Sequence, residues 1–547
     1  MLRVTDLTVR YPGRPHPALS AVSLALDRGD RVLLLGPSGS GKTTLVLALA
    51  GIIPHVLPAE LEGTVTVDGV DTRAALPAAL ANHIGVVFQD PDAQICMSTV
   101  EEEVAFGLEN LGVPSDAMDT RISAALDAVG MAPRRASRTD RLSGGLRQRL
   151  VLAAVLAMGA PIVVLDEPTA HLDPQGTREF FAVLARLSPP GCLLIEHKLE
   201  PAVPLMTRVV ALGSDGRVLV EGDPGTVFGR HAGLLDAQGI WLPPATRVVR
   251  DAGLDDEALT LDDLTALATS PSLAERLIQA LPVPRHQVPD GPAAIDIRHL
   301  SHTYPRGAAA LREVSLSVPE GDFLALVGSN GSGKTTLALH LAGILPPPPG
   351  RVFILGRDMA EAPAREVAGL IGYVFQNPEH QFVTESVLDE VRYTPRVRGM
   401  GDRESLALAR EMLERFGLAA AADRHPYQLS QGEKRRLSVA TVLIAAPRVV
   451  VLDEPTFGQD AQTNHDLLAH MVRLNEQGVT ILMITHDMET VWQFARSVAI
   501  MHEGQIVHRG AVAELPQCRE RLEAAGLELP FAVRCADALS RAGRVTS

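Results

Sequence analysis

Two stretches decide the fold: Gly36-Pro37-Ser38-Gly39-Ser40-Gly41-Lys42-Thr43-Thr44 and Gly328-Ser329-Asn330-Gly331-Ser332-Gly333-Lys334-Thr335-Thr336. Each follows an apolar run that reads as a buried strand, Val32 to Leu35 and Phe323 to Val327. Each then opens a helix-like run, Leu45 to Ala50 and Leu337 to Ala342. A glycine-rich turn in that context lets backbone N–H groups curl around phosphate oxygens, and the following helix directs its positive dipole end at the same charge. Lys42 and Lys334 are placed to reach the outer phosphates of a nucleotide, and Thr43 and Thr335 to offer hydroxyls to Mg²⁺. Average glycine and lysine usage gives one chance match with a probability on the order of a few per cent. Two matches, each between strand and helix, exclude an ordinary glycine turn.

The duplication extends well beyond these loops. Phe88-Gln89-Asp90-Pro91-Asp92-Ala93-Gln94 matches Phe375-Gln376-Asn377-Pro378-Glu379-His380-Gln381, Leu142-Ser143-Gly144-Gly145 matches Leu429-Ser430-Gln431-Gly432, and Asp166-Glu167-Pro168-Thr169 matches Asp453-Glu454-Pro455-Thr456, each at an offset of 287. The two lysines are 292 apart, so the early loops differ in length by a few residues. A later echo, Leu242-Pro243 with Arg247 against Leu529-Pro530 with Arg534, returns to the offset of 287 and gives each half a C-terminal extension. The expected layout is therefore a first domain over 1–250, a linker over 251–292 and a second domain over 293–547. The linker is acidic and proline-containing, with room for one short helix.

Bulk composition removes several classes. The 547 residues carry 50 Lys and Arg against 65 Asp and Glu, a net charge of −15, so the chain offers no overall positive field to a nucleic acid. Its 4 cysteines, Cys96, Cys192, Cys518 and Cys535, have neither metal-site spacing nor the density of a disulfide scaffold, and fit a reducing compartment. No stretch reaches about 18 uninterrupted apolar residues. The richest, Leu150 to Leu165, is broken by Gly159 and Pro161 and reads as a helix followed by a strand. A strand-like segment begins almost at the first residue, which leaves no room for a signal peptide.

Hydrolysis needs a metal clamp and a means of activating water in addition to a phosphate site. The β-branched runs Ile162 to Leu165 and Val449 to Leu452 read as central parallel strands ending in Asp-Glu-Pro. Their carboxylates should emerge at the carboxyl edge of the sheet, beside the phosphates. Asp166 and Asp453 then serve the Mg²⁺ shell, and Glu167 and Glu454 polarise the attacking water. Two further apolar runs end at His197 and His486, which suit a hydrogen bond to the terminal phosphate. Gln89 and Gln376 offer neutral contacts to Mg²⁺ or water. Tyr11 and Tyr304, upstream at similar places, can stack on an adenine ring.

The ordered set of aromatic, phosphate loop, Gln, LSGG-type signature, Asp-Glu and His resembles the ATP-binding cassette family over nearly all of 1–228 and 293–515. The resemblance implies an α/β fold, two P-loop NTPase cassettes with a RecA-like core, each with a helical subdomain and a short C-terminal extension. It also implies that ATP is the nucleotide and that the two cassettes pair head to tail within the chain. Lys42, Asp166, Glu167 and His197 would then face Ser430 and Gly432, while Lys334, Asp453, Glu454 and His486 would face Ser143, Gly144 and Gly145. Asp173 and Asp460 match the family's D-loop. Two departures stand out: the second signature reads Leu-Ser-Gln431-Gly-Glu433 where the first reads Leu-Ser-Gly-Gly-Leu146, and Glu196 stands where Thr485 precedes the second histidine.

Within the family, the two Gln-containing segments, the Phe457-Gly458-Gln459-Asp460 run and the Leu-Pro-x-x-x-Arg extensions resemble the ATPases of energy-coupling factor importers and their cobalt and nickel relatives. That likeness implies a transmembrane coupling protein, a small membrane subunit that captures a vitamin or metal, and a place at the cytoplasmic face of the cell membrane. Tandem sugar-importer ATPases share the architecture but often have one degenerate half. A soluble tandem-cassette translation factor would need a basic, strongly helical connector, and a DNA-repair ATPase a long coiled coil or zinc cysteines.

Overall fold

The structure, a computed structural model, describes residues 1–187, 191–285, 287–305, 307, 309–456 and 459–545. The first apolar run becomes strand Arg31–Leu35, inside a six-stranded sheet ordered Val218–Gly222, Arg208–Leu212, Arg31–Leu35, Gly191–Ile195, Ile162–Asp166, Ile84–Val87. Every pairing in it is parallel except that of the edge strand Val218–Gly222. Buried strands of this kind read as unbroken apolar runs because both faces are covered. Alternate residues accordingly feed two cores. Leu33, Leu35, Val163, Leu165, Cys192 and Leu194 face a cluster with Val104, Leu108, Leu150 and Phe180, whereas Val32, Leu34, Val164, Leu193 and Ile195 face one with Leu45, Leu49, Leu2 and Val65.

That second core is closed by an antiparallel sheet ordered Leu19–Leu26, Leu2–Arg10, Glu60–Val67, Val70–Asp71. On the other side helices Val100–Asn110, Ser115–Ala128 and Gly144–Met158 pack on one another as a helical subdomain. The second half repeats the plan. Its six-stranded sheet runs Ile371–Val374, Val449–Asp453, Thr480–Thr485, Phe323–Val327, Ser497–His502, Gln505–Ala511, and its antiparallel sheet Ala309–Pro319, Ala293–Thr303, Val352–Ile354, Arg357–Asp358. Helices Val387–Val397, Asp402–Arg415 and Gln431–Leu443 form its helical subdomain.

The chain divides into two compact units, one running to Ala280 and including the chain end from Ala538, the other covering Leu281–Asp537. Where the stretch 251–292 suggests one short helix, two form: Leu261–Leu267, capped by Thr260 with a reciprocal bond from Asp263, and Pro271–Gln279, capped by Ser270. The sequence signal missed is this pair of Ser/Thr caps. The buried Thr246 hydroxyl donates to the Ala258 carbonyl at 2.7 Å, which ties the stretch to helix Pro244–Asp251 of the first extension. Among the described residues no helix is long and apolar enough to cross a membrane.

Candidate nucleotide sites

Sheet register assembles each site. Asp166 pairs with Ile195 and Asp453 with Ile484, so the phosphate loop, the Asp-Glu pair and the histidine all leave at the carboxyl edges of adjacent parallel strands. Helices Lys42–Leu49 and Lys334–Leu341 begin directly at the loops, with Gly41 and Gly333 as their left-handed N-caps at φ +94° and +106°. A Cβ at either glycine would lie 2.4 Å from a carbonyl oxygen, that of Ala18 or Ala310. Only glycine permits that approach.

The lysine ammoniums lie across their loops. Lys42 donates to the Gly36 and Pro37 carbonyls at 2.8 and 3.0 Å, and Lys334 to those of Gly328 and Ser329 at 2.7 and 2.9 Å. The buried hydroxyls of Ser40 and Ser332 have no hydrogen-bond partner among the described residues, an arrangement suited to an anion in the loop. Around Lys334 a cavity of about 300 Å³ is lined by Tyr304, Asn330, Gly331, Gly333, Thr335, Thr336, Gln376, Asp453 and Glu454, among others. Tyr304 is 41% exposed and its hydroxyl lies 3.3 Å from Thr336 Oγ1; Tyr11 repeats the contact with Thr44 at 3.2 Å. Both rings thus stand at the first turn of the helix that follows each loop.

Glu167 and Glu454 each occupy the left-handed backbone region at φ +46°, a conformation rare for this residue type and one that turns the side chain out of the strand's alternation. Glu167 Oε1 lies 3.0 Å from His197 Nε2, and its Oε2 accepts from Gln89 Nε2 at 2.9 Å. Glu454 Oε1 lies 2.8 Å from His486 Nδ1, and its Oε2 accepts from the Thr485 hydroxyl at 3.3 Å. Glu196, in place of Thr485, turns away. It accepts from Thr169 Oγ1 at 2.7 Å and from the backbone N–H of His197 and Lys198.

Sequence reasoning did not find Tyr373, whose hydroxyl donates to Asp453 Oδ2 at 3.0 Å; the equivalent residue in the first half is Val86. The pairing depends on the parallel register of the strands that carry Tyr373 and Asp453, which the structure supplies. Each signature serine caps the helix that it opens. Ser143 caps helix Gly144–Met158 by accepting from Leu146 N–H, and Ser430 caps Gln431–Leu443 while donating its own proton to Glu433 Oε2 at 2.9 Å. Ser430 and Gly432 are not among the residues lining the Lys334 cavity. Asp173 and Asp460 act as helix N-caps, accepting from Gly176 and Thr463 N–H at 2.8 and 2.7 Å. Phe457 and Gly458 lie outside the described residues.

The family model described as "ABC transporter" matches this chain twice, over residues 19–170 and 311–457. The chain belongs to the ABC transporter family. It is 37% identical to the "Putative HMP/thiamine import ATP-binding protein YkoD" of Bacillus subtilis over 94% of this chain and 92% of that protein. It is also 37% identical to a "Putative ABC transporter ATP-binding protein" of Methanosarcina acetivorans over 99% of this chain and 91% of that one. A solved structure of cbiO1 from Clostridium perfringens aligns with 45% of this chain and 99% of its own at 28% identity, with a TM-score of 0.39.

The two ABC cassettes imply ATP binding and hydrolysis, with Mg²⁺ the usual metal. The residues present fit that ion. Asp453 Oδ1 is buried without a hydrogen-bond partner among the described residues, and Thr335 and Thr43 place hydroxyls on Asp453 and Asp166. Oxygen donors this few suit Mg²⁺, which keeps waters and takes substrate phosphates as ligands. Burial, followed by the adjacent Glu167 charge, pushes Asp166 up to about 6, and the same causes raise Asp453. Burial also acts to raise Glu167 and Glu454, but their histidines and the loop lysines outweigh it and hold both below the usual carboxylate range. Each cassette therefore separates its neighbouring carboxyls by environment, the glutamate ionised and ready to accept a proton.

Proposed function

We propose that this chain is the fused ATPase of an energy-coupling factor importer, driving uptake of a vitamin or other micronutrient through a membrane partner. The full-length likeness to the Bacillus subtilis protein, with its HMP/thiamine import name, carries this reading. The reading is supported by a complete set of Lys, Thr, Asp, Glu, Gln and His in both halves, which a tandem ATPase with one degenerate half would lack.

In this reading 1–250 and 293–547 act as two ATPase units joined by 251–292, paired head to tail so that Ser430 and Gly432 complete the Lys42 site, and Ser143, Gly144 and Gly145 the Lys334 site. Mg²⁺, when bound, neutralises charge on the outer phosphates. Lys42 and Lys334 hold those phosphates, Tyr11 and Tyr304 take the adenine, and His197 and His486 orient the glutamates. Glu167 and Glu454 accept the proton of the attacking water, giving ADP and phosphate. Gln89 and Gln376 sense the terminal phosphate and pass closure to helices of a transmembrane coupling protein, while a small membrane subunit captures the cargo.

The test is recovery of the affinity-tagged chain from membranes. A coupling protein and a small vitamin-binding membrane subunit are expected to accompany it, and ribosomes in their place would overturn the reading. Phosphate release from Glu167→Gln and Glu454→Gln checks the enzymology, since both variants should lose turnover.

A further inference from the structure

Arg435 is 1% exposed and heads the fully buried side chains by volume among the described residues. It sits five residues past the Ser430 cap, on the inward stripe of helix Gln431–Leu443 with Gly432, Ser438 and Val439. Its guanidinium makes three hydrogen bonds, all to main-chain carbonyls: Nη1 to Phe375 at 2.6 Å, and Nη2 to Gln376 at 2.6 Å and Glu454 at 3.1 Å. Burial pushes the group down to about 10, so it stays protonated near neutral pH, with the Asp453 and Glu454 charges acting to hold the proton on. A buried cation is expensive to desolvate, and no ion pair to Arg435 forms among the described residues. One planar fork joins three elements that carry different jobs: the signature helix, the glutamine loop and the turn that holds the glutamate.

The first half lacks this fork. Its equivalent is Gln148, 1% exposed, with an Nε2 that finds no partner among the described residues.

We infer that Arg435 is a positioning residue that locks Glu454 and Gln376 to the helix beginning at Ser430, making the Lys334 site the faster hydrolytic site and leaving the Lys42 site more loosely coupled. This rests on the proposed role of Glu454 in activating water, and it requires no further ligand. Arg435 itself does not line the nucleotide cavity, so a lost clamp should lower kcat far more than it changes KM.

The experiment is steady-state ATP turnover of the full chain carrying Glu167→Gln, so that Glu454 alone reports, with and without Arg435→Gln. The expected result is a fall in kcat of about 10- to 100-fold, the scale of an ångström-level misplacement, with KM within about twofold. Hydrogen exchange should rise locally at residues 375–377 and 454. Arg435→Lys keeps the charge but cannot span three carbonyls, so it should lose as much. Full rescue by lysine, unchanged kcat, or exchange rising evenly through the helix and sheet with no localised change would overturn the inference. If the Arg435 variants do not fold, Gln148→Arg decides: it should slow exchange at Phe88 and Gln89, and unaltered exchange there refutes the clamp. Should Glu167→Gln alone abolish all turnover, the two-site reading fails, while the exchange measurements still judge the clamp.

Discussion

The two cassettes carry the same Asp-Glu pair and histidine on equivalent strands and differ in what holds them. In the first, Glu167 is gripped by Gln89 and His197 through side chains, beside Val86 and an incompletely bonded Gln148. In the second, Tyr373 holds Asp453, Thr485 and His486 hold Glu454, and Arg435 holds the Glu454 main-chain carbonyl. Duplicated motifs preserve the reacting atoms, whereas divergence has collected in their supports. The difference teaches that equality of motif does not give equality of preorganisation, which is set by groups one contact further out.

The sharpest way to break this comparison is to remove the glutamates one at a time. Each of Glu167→Gln and Glu454→Gln should cost its own site about 10²-fold or more in phosphate release. Residual turnover should be lower after Glu454→Gln. Equal residual rates would show that the supports make no difference.

A symmetric effect is expected next, from Gly41→Ala and Gly333→Ala. Both place a Cβ 2.4 Å from a carbonyl at positive φ, and each should destabilise its cassette by about 2–4 kcal/mol in thermal melts and abolish nucleotide binding there. A large inequality between them would mean that the loops themselves have diverged.

Asp166→Asn probes the strain in the first site. Because folding raises this carboxyl from 3.8 to about 6, the native state binds the proton more tightly than the unfolded chain. Stability contributed by the group is therefore greatest below about pH 4, and it falls as pH rises towards 6. In nucleotide-free, chelator-treated protein at pH 7 the asparagine variant should be more stable by up to about 3 kcal/mol, a gain that vanishes near pH 4. A variant no more stable at pH 7 would remove the burial argument.

The smallest effect belongs to the signatures. Ser430 gives its proton to Glu433, whereas the Leu146 side chain has no acceptor for the Ser143 proton. In the proposed head-to-tail pairing, Glu433→Leu should free that hydroxyl and tighten ATP binding at the Lys42 site by about two- to fivefold, the scale of a fraction of one hydrogen bond. Titration with a fluorescent ATP analogue, with Lys334→Ala closing the other site, reads the change.

Much of the architecture was legible from local signals. Strand runs, phosphate loops and the Asp-Glu ends are written in contiguous residues, and buried parallel strands force the uninterrupted β-branched runs that reveal them. The two helices of 251–292 were under-read because short capped helices carry little periodicity. Arg435 was invisible for a different reason: within Lys434-Arg435-Arg436 it looks like a solvated charge, yet Lys434 is 8% and Arg435 1% exposed. Counting helical phase from the Ser430 cap would have turned it inward. The left-handed backbone at Glu167 and Glu454 has no sequence mark at all.

The sequence by itself determined two ABC cassettes and their order, because those demands fall on neighbours along the chain. Only the tertiary structure decided which side chains brace them. Tyr373 reaches Asp453 across 80 positions and Arg435 reaches Phe375 across 60, and such pairings exist only once parallel strands and the signature helix have closed around one edge of the sheet.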